Sequence, residues 1–149
     1  LLRARVIRRL RQVMNLGKRY DVKVLIENVG LRTKNNVLFD LPEYVALFDI
    51  FPQAGALLDT GHAHVNGWDI PAVVKALGER LAACHVHDND GNGDAHLPVG
   101  QGDIDWKAYF GAVKKYAPQA TQVFEYCCGF NNTKDLEAHI AELKEDYKL

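Results

Sequence analysis

Hydrophobic residues follow two alternating patterns along this chain of 149 residues. In the first pattern they recur every three or four positions, as Leu2, Val6 and Leu10 do, which is the spacing of an amphipathic helix. In the second they form short runs that end in polar or glycine-containing segments, which is typical of buried strands. Asp69 and Thr133 are the predicted N-caps of two helices. The helical pattern occupies 1–20, 41–51, 69–80, 105–118 and 133–147, and the strand pattern occupies 22–30, 54–62, 81–88 and 121–128.

This order, one helix followed by four strand–helix units, predicts an α/β fold with a parallel sheet and right-handed crossovers. No linker of low complexity separates the units, so we expect residues 1–149 to form a single domain. Two architectures are open: a small open sheet covered by helices, and half of an eight-stranded (β/α) barrel of the TIM type. In both, functional side chains gather at the C-terminal ends of the strands.

A residue that can bind a metal or transfer a proton stands at each of the four predicted strand ends. These residues are Glu27, Asp59, His85 with His87, and Glu125. Each one alone has an ordinary explanation, such as a surface carboxylate, an Asx turn, a hydrogen-bonded core histidine or a salt bridge. A buried ionised carboxylate is costly unless it is paired or bound to a cation, and the coincidence at four equivalent positions favours one shared site. Carboxylates with an imidazole favour Mn²⁺, Mg²⁺ or Co²⁺ and also accommodate Zn²⁺.

The composition limits which classes of partner and which cellular compartment are expected. The net charge of −1 argues against a protein whose main role is to bind nucleic-acid phosphates. No apolar run approaches the length of about 20 residues that spans a bilayer, so no membrane partner is expected. The three cysteines, Cys84, Cys127 and Cys128, are odd in number and two are adjacent. That is a poor disulfide framework and indicates a reducing, cytoplasmic location.

Four motifs resemble the xylose-isomerase-like (β/α) barrel superfamily, in particular its sugar phosphate isomerase/epimerase group. The motifs are "LIENVG", "LLDTGHAHVNG", "HVHDNDGNGDAHLPVGQGDIDW" and "VFEY". They run in the family's order from about Val22 to Glu125. His85 is preferred to His87 as a ligand because the family pattern places an acid, here Asp88, three residues after the histidine. The resemblance implies a divalent metal ion held by Glu27, Asp59, His85 and Glu125.

The same resemblance implies a carbohydrate substrate. The residues expected to contact it are His62, His87, Asp94 and His96. His62 resembles a histidine that touches substrate or a further metal. Asp94 and His96 resemble an Asp-x-His pair that binds a further metal in apurinic endonucleases and is expected here to shape the substrate loop. The implied reaction is isomerisation or epimerisation of a sugar, sugar phosphate or polyol, in which Glu27 and Glu125 move a proton through a metal-stabilised enediolate.

The resemblance covers only the second half of the family's barrel. The sequence begins with Leu1 in place of Met, which suggests a piece of a longer chain or a processed one. A half barrel has two open edges and an apolar inner face, and two copies could close it as a homodimer. Two rival functions are open: a metal phosphoesterase of the apurinic-endonuclease type, and a half barrel that keeps the ligands without activity. Whether the 149 residues are active alone is equally open.

Overall fold

The computed structural model describes residues 2–148 and places four parallel strands side by side in chain order. The strands are β1 (Leu25–Glu27), β2 (Gly55–Asp59), β3 (Leu81–Val86) and β4 (Thr121–Phe124). The helices are α1 (Leu2–Arg19), α2 (Leu41–Ile50), α3 (Thr60–Val65), α4 (Ile70–Leu77), α5 (Trp106–Tyr116) and α6 (Thr133–Tyr147), with 3-10 turns at Arg32–Lys34 and Gly78–Arg80. The predicted α/β fold with a parallel sheet is therefore confirmed.

The strands are aligned so that their C-terminal ends lie at one edge of the sheet. Glu27 ends β1 and Asp59 ends β2. Asp59 pairs with His85 of β3, and His85 pairs with Val123 of β4, two residues before Glu125. Because side chains alternate along a strand, the register brings these polar side chains to the same edge on the same face.

Helices cover one face of the sheet within residues 2–148. The strand residues on this face are buried in the main hydrophobic core, and burial of a large aliphatic side chain stabilises a fold by about 1.5–3 kcal/mol. They include Ile26, Leu58, Cys84 and Val86. On the opposite face Leu57 is half-buried and Val123 is 43% exposed. The sheet therefore has one covered face and one face that is partly open.

The strand predicted over 54–62 is too long at its C-terminal end. β2 ends at Asp59, and α3 begins at Thr60. The cause is a helix cap, since the Asp59 carboxylate accepts the backbone N–H of His62 at 2.7 Å. A side chain that satisfies a free N–H at this position favours a helical turn over continued extension.

The helix caps agree with the sequence in one case and differ in another. Asp69 caps α4 by accepting the N–H of Ala72, as predicted. The prediction that Thr133 caps α6 is wrong, because the cap is Asn132, whose side chain accepts two backbone N–H groups. Thr133 is the first helical residue. Among the helices that the structure describes, none has both the length and the apolar character needed to cross a membrane.

Candidate metal centre

The imidazole of His85 lies among the carboxylates of the three other strand ends. Its Nδ1 atom is 3.2 Å from Glu125 Oε2, 3.4 Å from Glu27 Oε1 and 3.8 Å from Asp59 Oδ2. The side chain of Asp59 is 1% exposed, whereas those of Glu27 and Glu125 are 29% and 47% exposed. The structure therefore brings together the four residues predicted as metal ligands, with Asp59 at the base and the two glutamates at the opening.

The spacing of these atoms fits a small divalent cation. Ligand atoms that lie about 2.1 Å from an ion at right angles to each other are about 3 Å apart. Three carboxylates around one imidazole also carry an excess of negative charge, which a cation compensates. Within residues 2–148, three sets of three residues each have ligand atoms within 4.8 Å of one another: Asp59, His85 and Glu125; Glu27, Asp59 and His62; and His87, His96 and Glu125. The donor set, rich in oxygen with imidazole nitrogen, suits a divalent ion of intermediate hardness.

The buried imidazole of a second histidine, His87, contacts the carboxylate of Asp59. Its Nε2 atom lies 3.1 Å from Oδ1 and 3.2 Å from Oδ2 of Asp59, and its side chain is 0% exposed. Burial by itself raises the pKa of Asp59, but the hydrogen bond and charge of His87, together with the charge and backbone N–H of His62, lower it overall. Burial likewise lowers the pKa of His87, and Asp59 reverses this to a raised pKa. The pair thus favours the ionised carboxylate, which is the form that binds a metal.

The first two residues of α3, Thr60 and Gly61, contact His87. A Cβ atom on Gly61 would lie 2.5 Å from Nδ1 of His87 and closer still to Cε1, so a residue with a side chain leaves no room for the ring. The Thr60 hydroxyl accepts the backbone N–H of His87 at 3.2 Å. Asp59 and His62 are predicted site residues, whereas Thr60 and Gly61 between them are not among the predictions. Their contribution is space and backbone contact, which residue type alone does not reveal.

Asn28 joins the ends of β1 and β2. Its Oδ1 atom accepts the N–H of Asp59 at 2.7 Å, and its Nδ2 donates to the Asp59 carbonyl oxygen at 3.0 Å. The side chain is buried. This double hydrogen bond fixes the position of Asp59 relative to Glu27, which precedes Asn28. This role of Asn28 was not predicted, because a side chain that bridges two strands can be recognised only once their register is known.

His62, Asp94 and His96 form a second polar group beside the first. The Nε2 atoms of both histidines lie 3.3 Å from Asp94 Oδ2. The other carboxylate oxygen, Asp94 Oδ1, is buried and has no hydrogen-bond partner among residues 2–148. The His96 ring also stacks on that of His87, with 3.9 Å between centroids. The structure therefore brings the four residues predicted to contact substrate, His62, His87, Asp94 and His96, together beside the metal group.

Asp88 fastens the long loop that leads from β3 to α5. Its carboxylate accepts hydrogen bonds from the backbone of Asn89, Gly100 and Ile104 and, at 2.7 Å, from the indole N–H of Trp106. The side chain is completely buried. Because its carboxylate accepts these four hydrogen bonds, Asp88 stabilises the loop and is not a metal ligand in the proposed site. Trp106, which is buried in the hydrophobic core, supplies one of the donors.

Sequence comparisons find relatives that extend beyond this chain. An uncharacterized protein of Methanocaldococcus jannaschii, MJ1614, is 29% identical over 113 residues, which are 74% of this chain and 42% of the relative. An uncharacterized protein of Sinorhizobium fredii, y4fM, is 32% identical over 95 residues, which are 62% of this chain and 30% of the relative. The chain thus spans less than half the length of these two relatives.

Solved structures share the fold over nearly the whole chain. A D-tagatose 3-epimerase-like protein matches with a TM-score of 0.74 at 23% identity, covering 95% of this chain and 52% of that protein. A D-allulose 3-epimerase from Methylomonas sp. matches with a TM-score of 0.78 at 18% identity, covering 97% and 55%. The four-stranded fold therefore corresponds to about half of such a barrel, as predicted. The family model described as a xylose isomerase-like TIM barrel matches residues 2–145, and the chain belongs to that family.

Proposed function

We propose that this chain carries the metal-binding half of a sugar isomerase or epimerase active site. The observation that supports this most is the position of His85 Nδ1, within 3.8 Å of carboxylates from three other strand ends. The sugar substrate is inferred from the family and from the epimerases that share the fold. A divalent ion held by this group would polarise a substrate carbonyl as a Lewis acid, with Mn²⁺, Mg²⁺ or Co²⁺ favoured and Zn²⁺ possible. The proposed ligands are Glu27, Asp59, His85 and Glu125.

Glu27 and Glu125 are the proposed acid–base pair. Glu27 ends β1 and Glu125 follows β4, the two outer strands, so they approach the group from opposite sides, and both are partly exposed to solvent. One carboxylate removes the proton beside the substrate carbonyl, and the other returns a proton to the opposite face, which epimerises that carbon. A single carboxylate that performs both transfers would give isomerisation. Asp59, which is buried against His87, is restricted to holding the ion.

The group of His62, Asp94 and His96 is the proposed contact surface for sugar hydroxyls. All three side chains are half-buried, and together they offer hydrogen-bond donors and acceptors beside the metal group. His87 has no exposed surface. For this reason the substrate contact expected of His87 is replaced in the proposal by the positioning of Asp59.

Titration with Mn²⁺ by calorimetry tests the ligand group. Asp59→Asn and Glu27→Gln should each weaken Mn²⁺ binding by more than about tenfold, since even residues that only support a metal ligand have effects of this size. Asp49→Asn is the matched control, because Asp49 is exposed on α2 and pairs with Arg80 at 2.8 Å. It should bind Mn²⁺ like the wild type. Equal affinity in all variants would contradict the proposed group.

Proton exchange tests the reaction itself. With Mn²⁺ and D-allulose or D-tagatose in D₂O, nuclear magnetic resonance should show deuterium entering the carbon beside the carbonyl, and Glu125→Gln should abolish it. Glu137→Gln, on α6, is the control for a glutamate outside the site. Mn²⁺ binding without any exchange would instead identify a half barrel that keeps its ligands without catalysis.

The sheet has one partly open face, and we propose that a second copy of the chain covers it and completes the barrel. Within residues 2–148, β1 and β4 each have a single neighbouring strand, so two copies could pair β1 of each with β4 of the other. A TIM barrel has one helix between successive strands. Where β4 of one copy pairs with β1 of the other, α6, which follows β4, and α1 of the partner, which precedes β1, would compete for the same place. The homodimer therefore requires α1 to turn outward.

Mass in solution tests the homodimer. The full chain should be dimeric, and removal of residues 2–19 should tighten the association because it removes the competition at the junction. Light scattering over a dilution series gives both masses. A full chain that stays monomeric at every concentration, with or without α1, would contradict the homodimer while leaving the metal group untouched.

A metal phosphoesterase of the apurinic-endonuclease type is the second candidate. It is favoured by the buried Asp94 Oδ1, which has no hydrogen-bond partner among residues 2–148 and lies beside His62 and His96, where a further cation could bind. Clustered metal ions hold the attacking and leaving oxygens in phosphoester hydrolysis. More than one ion per chain, together with incision of an abasic duplex, would support this candidate. One ion per chain without incision would contradict it.

A further inference from the structure

Two adjacent cysteines lie at the end of β4, beside the metal group, and take no part in the proposed reaction. Cys127 and Cys128 are exposed, whereas the third cysteine, Cys84, is buried under the helices. The pKa of Cys128 is raised, chiefly by the neighbouring Cys127 thiol. A pair of exposed neighbouring thiols is the arrangement that can form a ring within the chain.

Three contacts tie this segment to the loop that carries Asp94 and His96. The Cys127 thiol donates to the carbonyl oxygen of Ala95 at 3.2 Å, and the Cys127 N–H donates to that of His96 at 3.1 Å. The His96 Nδ1 atom lies 3.0 Å from the carbonyl oxygen of Glu125. His96 has a φ of +48°, a conformation that residues with side chains adopt rarely and hold only with support from their surroundings. The state of Cys127 therefore bears directly on His96.

The turn after the cysteines also contacts the loop that carries Asp94 and His96. Gly129 has a φ of +97°, and a Cβ atom at this position would lie 2.5 Å from Cγ of Pro98. The turn and the loop are therefore in close contact at two places, Cys127 against Ala95 and Gly129 against Pro98. A change in the backbone between Cys127 and Gly129 cannot be absorbed without moving the loop.

We propose that Cys127 and Cys128 form a reversible disulfide that releases the loop of Asp94 and His96 from its reduced position. The oxidant is a low-molecular-weight disulfide. One thiolate attacks it to give a mixed disulfide and one small thiol, and the other thiolate then displaces the second small thiol. The protein loses two hydrogen atoms, and the oxidant gains them as two thiols. In the oxidised form Cys127 has no S–H to donate to Ala95.

The geometry of adjacent residues makes this disulfide easy to reduce again. Neighbouring Cα atoms are about 3.8 Å apart across a trans peptide, below the range of about 4.4–6.8 Å that ordinary disulfides span. The ring therefore strains the backbone of Cys127 and Cys128. Strained and exposed disulfides have higher reduction potentials and belong to the labile, regulatory class.

Incubation of the full chain with defined ratios of reduced and oxidised glutathione tests the ring. After quenching with iodoacetamide, the intact mass of the oxidised wild type should fall by two hydrogen atoms, with neither exposed thiol alkylated. Cys84 should react only after unfolding, so it serves as the internal thiol count. Persistent glutathione adducts or disulfides between chains, without the ring, would overturn the proposal.

Hydrogen–deuterium exchange of the amides at 94–97 tests the effect on the loop. Oxidation of the wild type should speed this exchange at least tenfold. Cys128→Ser is the matched control, since it keeps the Cys127 thiol and its contact with Ala95 but cannot close the ring, and its exchange should stay at the reduced rate. Cys127→Ser, whose hydroxyl can still donate to Ala95, should behave in the same way. Ring formation with unchanged exchange at 94–97 would overturn the coupling. Both readouts need neither metal nor sugar, so they stand apart from the tests of the proposed function.

Discussion

Replacing Gly61 by alanine should displace His87 from Asp59. The added Cβ would lie 2.5 Å from Nδ1 of His87, where an unstrained contact between heavy atoms is about 3.5–4.0 Å. The imidazole is completely buried and bonded to Asp59 at 3.1 Å, so it cannot move aside without breaking that bond. Overpacking costs about 1–3 kcal/mol, and a lost hydrogen bond to a charged group costs about 1.5–3 kcal/mol. We expect Gly61→Ala to lower the free energy of unfolding by about 2.5–6 kcal/mol in total.

Urea unfolding followed by circular dichroism, with a parallel Mn²⁺ titration, measures both consequences. Affinity for Mn²⁺ should fall about 10–100-fold, as expected when the support of a metal ligand is lost. Gly111→Ala in α5 is the matched control, because its Cβ would meet no atom within 4 Å. It should leave Mn²⁺ affinity unchanged and stabilise the helix by up to about 1 kcal/mol. A Gly61→Ala variant with wild-type stability and wild-type Mn²⁺ affinity would refute the role given to His87.

Three further predictions concern the supports of the site. Asn28→Ala removes both hydrogen bonds to the Asp59 backbone and should cost about 1–3 kcal/mol in urea unfolding; an unchanged midpoint would count against the bridge. Trp106→Phe keeps an aromatic ring but removes a donor to Asp88, and should cost about 1.5–3 kcal/mol by the same assay. In the metal-free chain, the lowered pKa of Asp59 gives a stabilisation that is present above about pH 3.9 and lost as the pH falls below it. The raised pKa of His87 gives a second stabilisation, which is present below about pH 6.5 and is lost as the pH rises through the higher pKa of the folded state. The free energy of unfolding in EDTA should therefore be largest between about pH 3.9 and about pH 6.5. His87→Gln should flatten this maximum.

The fold and the meeting of the strand ends could be predicted because both follow from local patterns. Short apolar runs between amphipathic helices favour parallel strands, and the C-terminal ends of parallel strands meet at one edge. Glu27, Asp59 and Glu125 each follow such a run, and the structure brings them within 3.8 Å of His85 Nδ1. Residue type and position relative to the strand were sufficient information for this part of the site.

The supports of the site could not be predicted, because they depend on contacts between distant segments. Side-chain alternation puts His85 and His87 on one face, but β3 ends at Val86, and the ring of His87 lies under Gly61 beyond the strand. Its burial, and hence its role, follows from packing that alternation does not describe. The cap of α6 differs by a single residue, Asn132 in place of Thr133, since a cap is defined by backbone angles and not by residue type alone.

The central claim is that the four strand ends hold one divalent ion, and an anomalous difference map from crystals soaked in Mn²⁺ tests it most directly. The account predicts a peak within bonding distance of the four proposed ligands, absent in Asp59→Asn crystals treated in the same way. Those ligands are Glu27, Asp59, His85 and Glu125. A map from well-ordered wild-type crystals with no peak among these residues, or with manganese bound only elsewhere, would contradict it.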